Sequence, residues 1–313
     1  MKVNRLVNVV YFTDNGKSVY ERLVAGFENY VFEEKPAESS LEEFTANSFK
    51  YHLPLVFIGA TGIAVRTIAP FVSDKLMDSP VIVIDELGIN VIPVLSGHFG
   101  MANDLVREFA EAINANPVIT TATDINNVFS IDSFAVKNGY RIVDKGSIKT
   151  ISSMLLRNEK PAVAVEGDNI FVDGKLMLVR KSLVIGMGCK KGKSCEALLS
   201  FLLESYSEKE LRDKLYAIVS IDAKDKEEGL LKLAALLGTK FITFSANELE
   251  AVDGDFTESE FVKENVGVGN VSERAAVCLG ASLIRKKEAR DGMTKAIAVL
   301  EKGKSKWQEE FIL

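Results

Sequence analysis

The sequence predicts an α/β protein: two three-layer α/β/α domains with mainly parallel sheets, joined by a small connecting segment. Three observations predict it. Short apolar runs alternate with stretches of helical period through both halves of the chain. Several of these runs end in glycine-bearing turns that open helices, as in Pro54-Leu-Val-Phe-Ile-Gly-Ala-Thr-Gly62 and Ser182-Leu-Val-Ile-Gly186. All seven prolines lie at or before Pro161, so the two halves differ in composition. We therefore expect an N-terminal domain over 1–120, a connecting segment over 121–180 and a C-terminal domain over 181–313.

In the first domain, Leu6 to Phe12 reads as a strand, followed by a helix from about Asn15. Ser40 and Glu43 have the spacing of a capping box. Pro54 to Ile58 is a strand running into Gly59-Ala-Thr-Gly62, with a helix from Ile63. Val81 to Ile84 and Asn90 to Pro93 read as buried strands, His98 to Ile113 as a helix and Pro117 to Thr120 as another strand. The connecting segment carries helices at Ser130 to Asn138 and Ser147 to Leu156, with short strands at Pro161 to Val165 and Asn169 to Val172. The second domain restarts with Ser182 to Gly186, a lysine-rich turn and a helix from Ser194. Leu215 to Ile221, Lys240 to Phe244 and Ala296 to Leu300 are its further strands, with helices at Glu227 to Leu237 and from Ser272. Ser245 and Glu248 repeat the capping-box spacing.

A chain of 313 residues, 47% hydrophobic and 26% charged, has the composition of a soluble protein with two ordinary cores. The most apolar region, Pro80 to Leu95, is interrupted by Asp85 and Glu86, and the amino terminus lacks an apolar signal core. We expect a cytoplasmic protein. Cys189, Cys195 and Cys278 show no metal-ligand spacing, which suits a reducing compartment and small core or turn positions. A formal charge of −6 argues against broad nucleic-acid binding, which needs a basic face.

Three loops of the first domain are candidates for chemistry. His98 stands between Gly97 and Gly100 at a strand-to-helix junction, where glycines admit a close ligand and free N–H groups meet an anion. The alternative is a tight turn capped by an inert imidazole. His98 is favoured as general acid or base over Ser96 as nucleophile, because the flanks do not form Gly-x-Ser-x-Gly. Gly59-Ala-Thr-Gly62, with Arg66 one turn on, reads as a carboxylate site or as a helix start capped by Thr61; it lacks the third glycine of a dinucleotide fingerprint. Thr120-Thr-Ala-Thr-Asp124 adds hydroxyls and a carboxylate. In a parallel sheet all three loops would leave the same, carboxy-terminal edge. His52, in a polar stretch, reads as a surface residue.

In the second domain, Gly186-Met-Gly-Cys-Lys-Lys-Gly-Lys-Ser194 misses a phosphate-binding P-loop by one residue, Met187. With Asp222 ending the next strand, an NTPase stays open, as does an anion site of another kind. Gly267 and Gly269 mark a further turn into a helix. The run from Arg285 to Thr294, with Arg290, is either a solvated edge strand or a second set of anion contacts.

Taken in order, these motifs resemble the cobalt-precorrin-5A hydrolase family of anaerobic cobalamin biosynthesis, CbiG. The resemblance runs through Gly59 to Arg66, Asp85-Glu-Leu-Gly88, Leu95 to Asn103 and Ile119 to Asp124, then Gly186 to Gly192, Val219 to Asp222, Glu228 to Leu230, Gly267 to Ala276 and Ala289 to Gly292. It implies an enzyme that opens the δ-lactone of a cobalt-bearing tetrapyrrole, releases acetaldehyde and gives cobalt-precorrin-5B, and it demotes the NTPase. A non-catalytic cobalt-corrinoid carrier is the alternative from another class. From the chemistry of the residues themselves, and not carried over from the family, His98, Ser96 and Asp124 are the catalytic candidates. Gly59, Thr61, Gly62, Arg66, Gly97, Gly100, Asn103 and Thr121 are the substrate-binding candidates of the first half, and Gly188, Lys190, Lys191, Gly192, Lys193, Gly267, Gly269 and Arg290 those of the second. The substrate brings its own cobalt, so we expect no metal site and no cofactor from the protein. The tetrapyrrole is the expected partner, with neighbouring corrin-pathway enzymes and a second copy of the chain as further candidates, and neither nucleic acid nor membrane.

Overall fold

Leu55–Ile58 and Val81–Ile84 form a parallel pair, and every residue of both is buried, because each strand is covered on two faces. The computed structural model describes residues 1–74, 77–96 and 101–301. These fall into two compact units, one of residues 7–180 and one of 1–6 with 181–301.

In the first unit the chain's opening strand, Lys2–Tyr11, pairs in parallel with Leu55–Ile58 through Asn8 to Tyr11. Side chains alternate between two cores, as the strand period requires. Val56, Ile58, Ile82 and Ile84 face helices Asp14–Ala25 and Ala102–Ile113 through Val19, Leu23, Leu105, Val106 and Phe109. Leu55, Phe57, Val81 and Val83 face helices Leu41–Lys50 and Thr61–Ile68 through Phe44, Ala64 and Ile68. The three layers are those the apolar runs predict.

In this first unit strand Asn90–Leu95 departs from the parallel arrangement. Asn90–Leu95 runs antiparallel to Val81–Ile84, with Val81 opposite Leu95 and Ile84 opposite Val91. The reason is the connection. Asp85 to Ile89 is far too short for the crossover that parallel neighbours need. Asp85 builds the turn, accepting from the backbone N–H of Leu87, Ile89 and Asn90 and from the Asn90 amide. Burial pushes the Asp85 carboxyl up, but these donors together hold it below the ordinary aspartate range.

Residues 121–180 are more than a connector. Helices Ile131–Asn138 and Ser147–Leu156 pack on a four-stranded antiparallel sheet around a core that includes Phe134, Ile151, Ile170 and Leu178. Its order is Tyr140–Ile142, Lys175–Arg180, Asn169–Val172, Val163–Glu166. The first two of these strands were not expected from the sequence pattern.

In the second unit Leu183–Cys189, Leu215–Ile221 and Lys240–Phe244 form the parallel centre. Met293–Leu300 adds antiparallel to Leu183–Cys189, and Ala281–Arg290 closes that side as the edge strand, which is the solvated reading of the charged run. On the other side Lys2 to Asn4 pair antiparallel with Phe241 to Thr243. Helix Val271–Val277 lies so close to Leu183–Cys189 that a Cβ on Gly186 would stand 1.8 Å from the Ser272 carbonyl oxygen. The expected capping boxes form at Ser40 and Glu43 and at Ser245 and Glu248. Among the described residues no helix is long and apolar enough to cross a membrane.

Candidate functional site

The antiparallel strand sends the candidate loops of the first unit to opposite edges of its sheet. Gly59 N–H donates to the carbonyl of Ile84, the last residue of its strand. Ser96 follows Leu95, which pairs with Val81, the first residue of that same strand. Four strand residues, on the order of 10 Å, lie between them. Asn116–Pro117 runs parallel to Asn90–Leu95, so Thr121 and Asp124 follow on the Ser96 side. The convergence of all three loops on one edge is thus corrected: Gly59, Thr61, Gly62 and Arg66 form one group, and Ser96, Asn103, Thr121 and Asp124 another.

At the first edge Gly59 adopts φ +155°, and the exposed Arg66 folds its guanidinium back against Gly62. Thr61 does not cap the helix; Ala60 holds that position and gives no side-chain bond, so the helix start has no side-chain cap.

At the second edge Ser96 is buried, at φ +57°, and its hydroxyl donates to the Asp78 carbonyl at 2.8 Å. The bond fixes the turn and occupies the hydroxyl proton. Asn103, only 3% exposed in the first turn of helix Ala102–Ile113, donates through Nδ2 to Thr121 Oγ1 at 3.1 Å and to Asp124 Oδ2 at 2.9 Å. Arg107, one turn on, donates to the other Asp124 oxygen at 2.5 Å. Asp104 accepts from Lys137 at 2.9 Å. Asn103, Asp104, Arg107, Asp124 and Lys137 line a cavity of about 300 Å³ between that helix and residues 123–137. Arg107, Asp104 and Lys137 were missed in the sequence, although Asp104 and Arg107 share a helix face at the spacing of an ion pair. His98, Gly97 and Gly100 lie outside the described residues. His52, placed on the surface by its sequence context, is partly buried at φ +55°.

In the second unit the lysine-rich turn already holds an anion of its own. Gly192 N–H donates to Glu227 Oε1 at 2.6 Å, and Lys224 pairs with the same carboxylate at 2.9 Å. Lys190 lays its aliphatic stem over Gly292, while Lys190 and Lys191 are exposed and Lys193 is half-buried. Gly188 faces Thr294, whose hydroxyl a Cβ would meet at 2.8 Å. Arg290 pairs with Glu204 over the Phe201 ring and is not a free cation. Gly267, at φ +78°, ends helix Glu260–Val266, and Gly269 lies under Glu258, the carboxylate that Arg274 binds at 2.9 Å. Lys295, 1% exposed, donates to the Phe201 carbonyl at 2.7 Å beside Glu204 and Glu288. Burial pushes the Cys189 and Cys278 thiols up to about 11, so neither is a ready nucleophile near neutral pH.

Comparison with known proteins decides the family. The family described as Cobalamin synthesis G N-terminal matches residues 43–124, and Cobalamin synthesis G C-terminus matches residues 183–298. The chain belongs to the CbiG family. It is 32% identical to a protein of Salmonella typhimurium named cobalt-precorrin-5A hydrolase, over 84% of this chain and 87% of that protein. A Priestia megaterium protein of the same name is 30% identical over 76% of this chain and 77% of that one. The solved structure of CobE, a protein from the cobalamin (vitamin B12) biosynthetic pathway, matches 39% of this chain and 94% of its own at 30% identity, with a TM-score of 0.35. Within the CbiG family match, the N-terminal region ends at Asp124 and so takes in the whole Asn103, Thr121 and Asp124 network.

Proposed function

We propose that this CbiG chain is a cobalt-precorrin-5A hydrolase, an enzyme that opens the δ-lactone of its tetrapyrrole substrate and releases acetaldehyde to give cobalt-precorrin-5B. The observation that carries the reading is the 32% identity to a protein of that name across 84% of the chain. Lactone opening needs an activated water and a stabilised oxyanion, and expelling the aldehyde needs a base for a hydroxyl proton. His98 acts as that general acid and base; in sequence it lies between the strand ending at Leu95 and the helix starting at Ala102. Asp124 serves the same edge through its bonds to Asn103 and Arg107. The Gly59 to Gly62 turn with Arg66 binds side-chain carboxylates of the substrate, as do Lys190, Lys191 and Lys193. The cobalt travels with the substrate, the macrocycle accepts the electrons of carbon–carbon cleavage, and the reaction runs in the cytoplasm.

Anaerobic incubation of the purified protein with cobalt-precorrin-5A tests this, with acetaldehyde trapped and the tetrapyrrole followed by mass. Release of acetaldehyde with the matching mass change is the expected result. Tight stoichiometric binding without release overturns the reading in favour of a carrier.

A further inference from the structure

The order of the strands singles out one place on the first unit's sheet. From Lys2–Tyr11 the chain passes through helix Asp14–Ala25 to strand Tyr30–Glu34, which pairs on one side of the opening strand. It then passes through helix Leu41–Lys50 to Leu55–Ile58, which pairs on the other side. The two helices lie on opposite faces, since Val19 and Leu23 belong to one core and Phe44 to the other. In open α/β sheets the loops part at such a reversal, and ligands bind beyond the carboxyl ends of the two strands. Tyr11 is opposite Ile58, so the residues that open this gap are Phe12 and Gly59.

Leu6, Val7, Val9 and Val10 of the opening strand are at most 3% exposed, whereas Phe12 is 46% exposed. Among the described residues no aromatic or cationic side chain stacks on its ring. Gly59 makes room for that ring: a Cβ there would stand 3.1 Å from it, and the backbone at φ +155° favours glycine. At the other end of the same turn the Arg66 guanidinium lies against Gly62, and among the described residues no carboxylate pairs with it. The carboxylates that follow the next strand are engaged, Asp85 by the hairpin's N–H groups and Glu86 by the Thr13 hydroxyl at 2.7 Å. Gly59 and Gly62 are at most about 10 Å of chain apart, so one ligand can meet both the ring and the guanidinium.

We infer that Phe12 is the platform for the flat face of the tetrapyrrole and that Arg66 clamps one of its carboxylate arms. The inference rests on the hydrolase reading above and adds to it a residue that selects for planarity. A conjugated ring stacks on an aromatic face, where an aliphatic side chain offers only area. A guanidinium takes a carboxylate by paired N–H bonds. A phenyl ring has no proton to give or take, so Phe12 acts on how tightly the macrocycle is held and not on the bonds that break.

The test uses the full chain and two ligands. Cobalt uroporphyrin, a flat tetrapyrrole with carboxylate arms and no lactone, reports binding through its visible absorption, and cobalt-precorrin-5A reports turnover through acetaldehyde. Phe12→Leu keeps apolar area and loses the planar face. It is expected to raise Kd for the porphyrin and KM for the substrate about tenfold with kcat within about twofold, and Phe12→Trp is expected to restore both. The position is exposed, so both variants should fold as the wild type does. Porphyrin binding that follows this pattern without any release of acetaldehyde counts against the hydrolase reading and leaves the platform standing. Three results overturn the inference: no binding of the porphyrin by the wild type, a Phe12→Leu Kd within about twofold of it, or a Phe12→Trp variant that binds no better than Phe12→Leu.

Discussion

Replacing Gly186 by alanine separates a glycine kept for packing from one kept for phosphate. The new Cβ would stand 1.8 Å from the Ser272 carbonyl oxygen, 2.8 Å from its carbon and 3.1 Å from the Ala276 Cβ. Ordinary contact begins near 3.4 Å, so helix Val271–Val277 must retreat by roughly 1.6 Å. That retreat loosens Ala275 and Ala276 from Val184 and Val219 in a core where all four are 0% exposed. Overpacking costs typically ~1–3 kcal/mol, and a backbone obstacle puts this case at the upper end, about 3 kcal/mol. Gly192→Ala is the control. It has open space around it but φ +77°, so it should lose only about 1 kcal/mol to backbone strain. With an m-value of about 2 kcal/mol/M in urea, the midpoints should drop by about 1.5 M and about 0.5 M respectively. Urea titrations followed by circular dichroism read both. If Gly186→Ala is no less stable than Gly192→Ala, the close helix approach is not what requires glycine there.

Four further outcomes are expected. His98→Ala should lower kcat for acetaldehyde release by about 10²–10⁴-fold and leave substrate binding near wild type; unchanged turnover removes the imidazole from the chemistry. Ser96→Ala should cost about 1 kcal/mol in urea unfolding, by freeing the Asp78 carbonyl, and keep turnover; a loss as deep as that of His98→Ala would make Ser96 a participant. Arg66→Ala should raise KM several-fold at constant kcat, and an equal fall in kcat and kcat/KM would place it at the reacting atoms instead. The backbone N–H and hydroxyl of Ser207, then Lys214, lower the Glu210 carboxyl from 4.5 to about 2. Its folded value is depressed, so its contribution is complete above pH 4.5 and lost as pH falls through about 2. Glu210→Gln should flatten the pH dependence of unfolding across that window, and an unaltered slope would show that these bonds to Glu210 do not couple to folding.

The layers were legible because the apolar runs are strong: Val81-Ile-Val-Ile84 is short, all β-branched and bounded by Pro80 and Asp85, the pattern of a strand covered on both faces. Capping boxes at Ser40 and Ser245 were legible because both partners lie within four residues. Strand direction was misread although the signal was present. Asp85 and Gly88 leave no room for a crossover helix, and a strict use of connection length gives a hairpin. Strands Tyr140–Ile142 and Lys175–Arg180 were hidden by shortness and by the charges at Arg141, Lys175 and Arg180. Arg107 was hidden for a different reason: its partner Asp124 is distant in sequence, and only the packing of helix Ala102–Ile113 joins them.

That single reversed strand changes what the glycine turns mean. A parallel sheet would gather His98, Thr61 and Asp124 over one crevice and invite a shared catalytic role. The hairpin instead puts a packed sheet, with Phe57 and Ile82 fully buried, between the Thr61 turn and Asp124. Groups on opposite edges of such a sheet cannot touch the same reacting atoms. Asn103 with Thr121, Asp124 and Arg107 forms a hydrogen-bonded set that stands wholly on the Ser96 side of the sheet. Arg66 is exposed on the other edge, which suits holding a substrate carboxylate at a distance from the chemistry. Glu227 gives the lysine-rich turn of the second unit a similar distinction: its carboxylate already accepts from the Gly192 N–H, while the side chains of Lys190 and Lys191 are exposed.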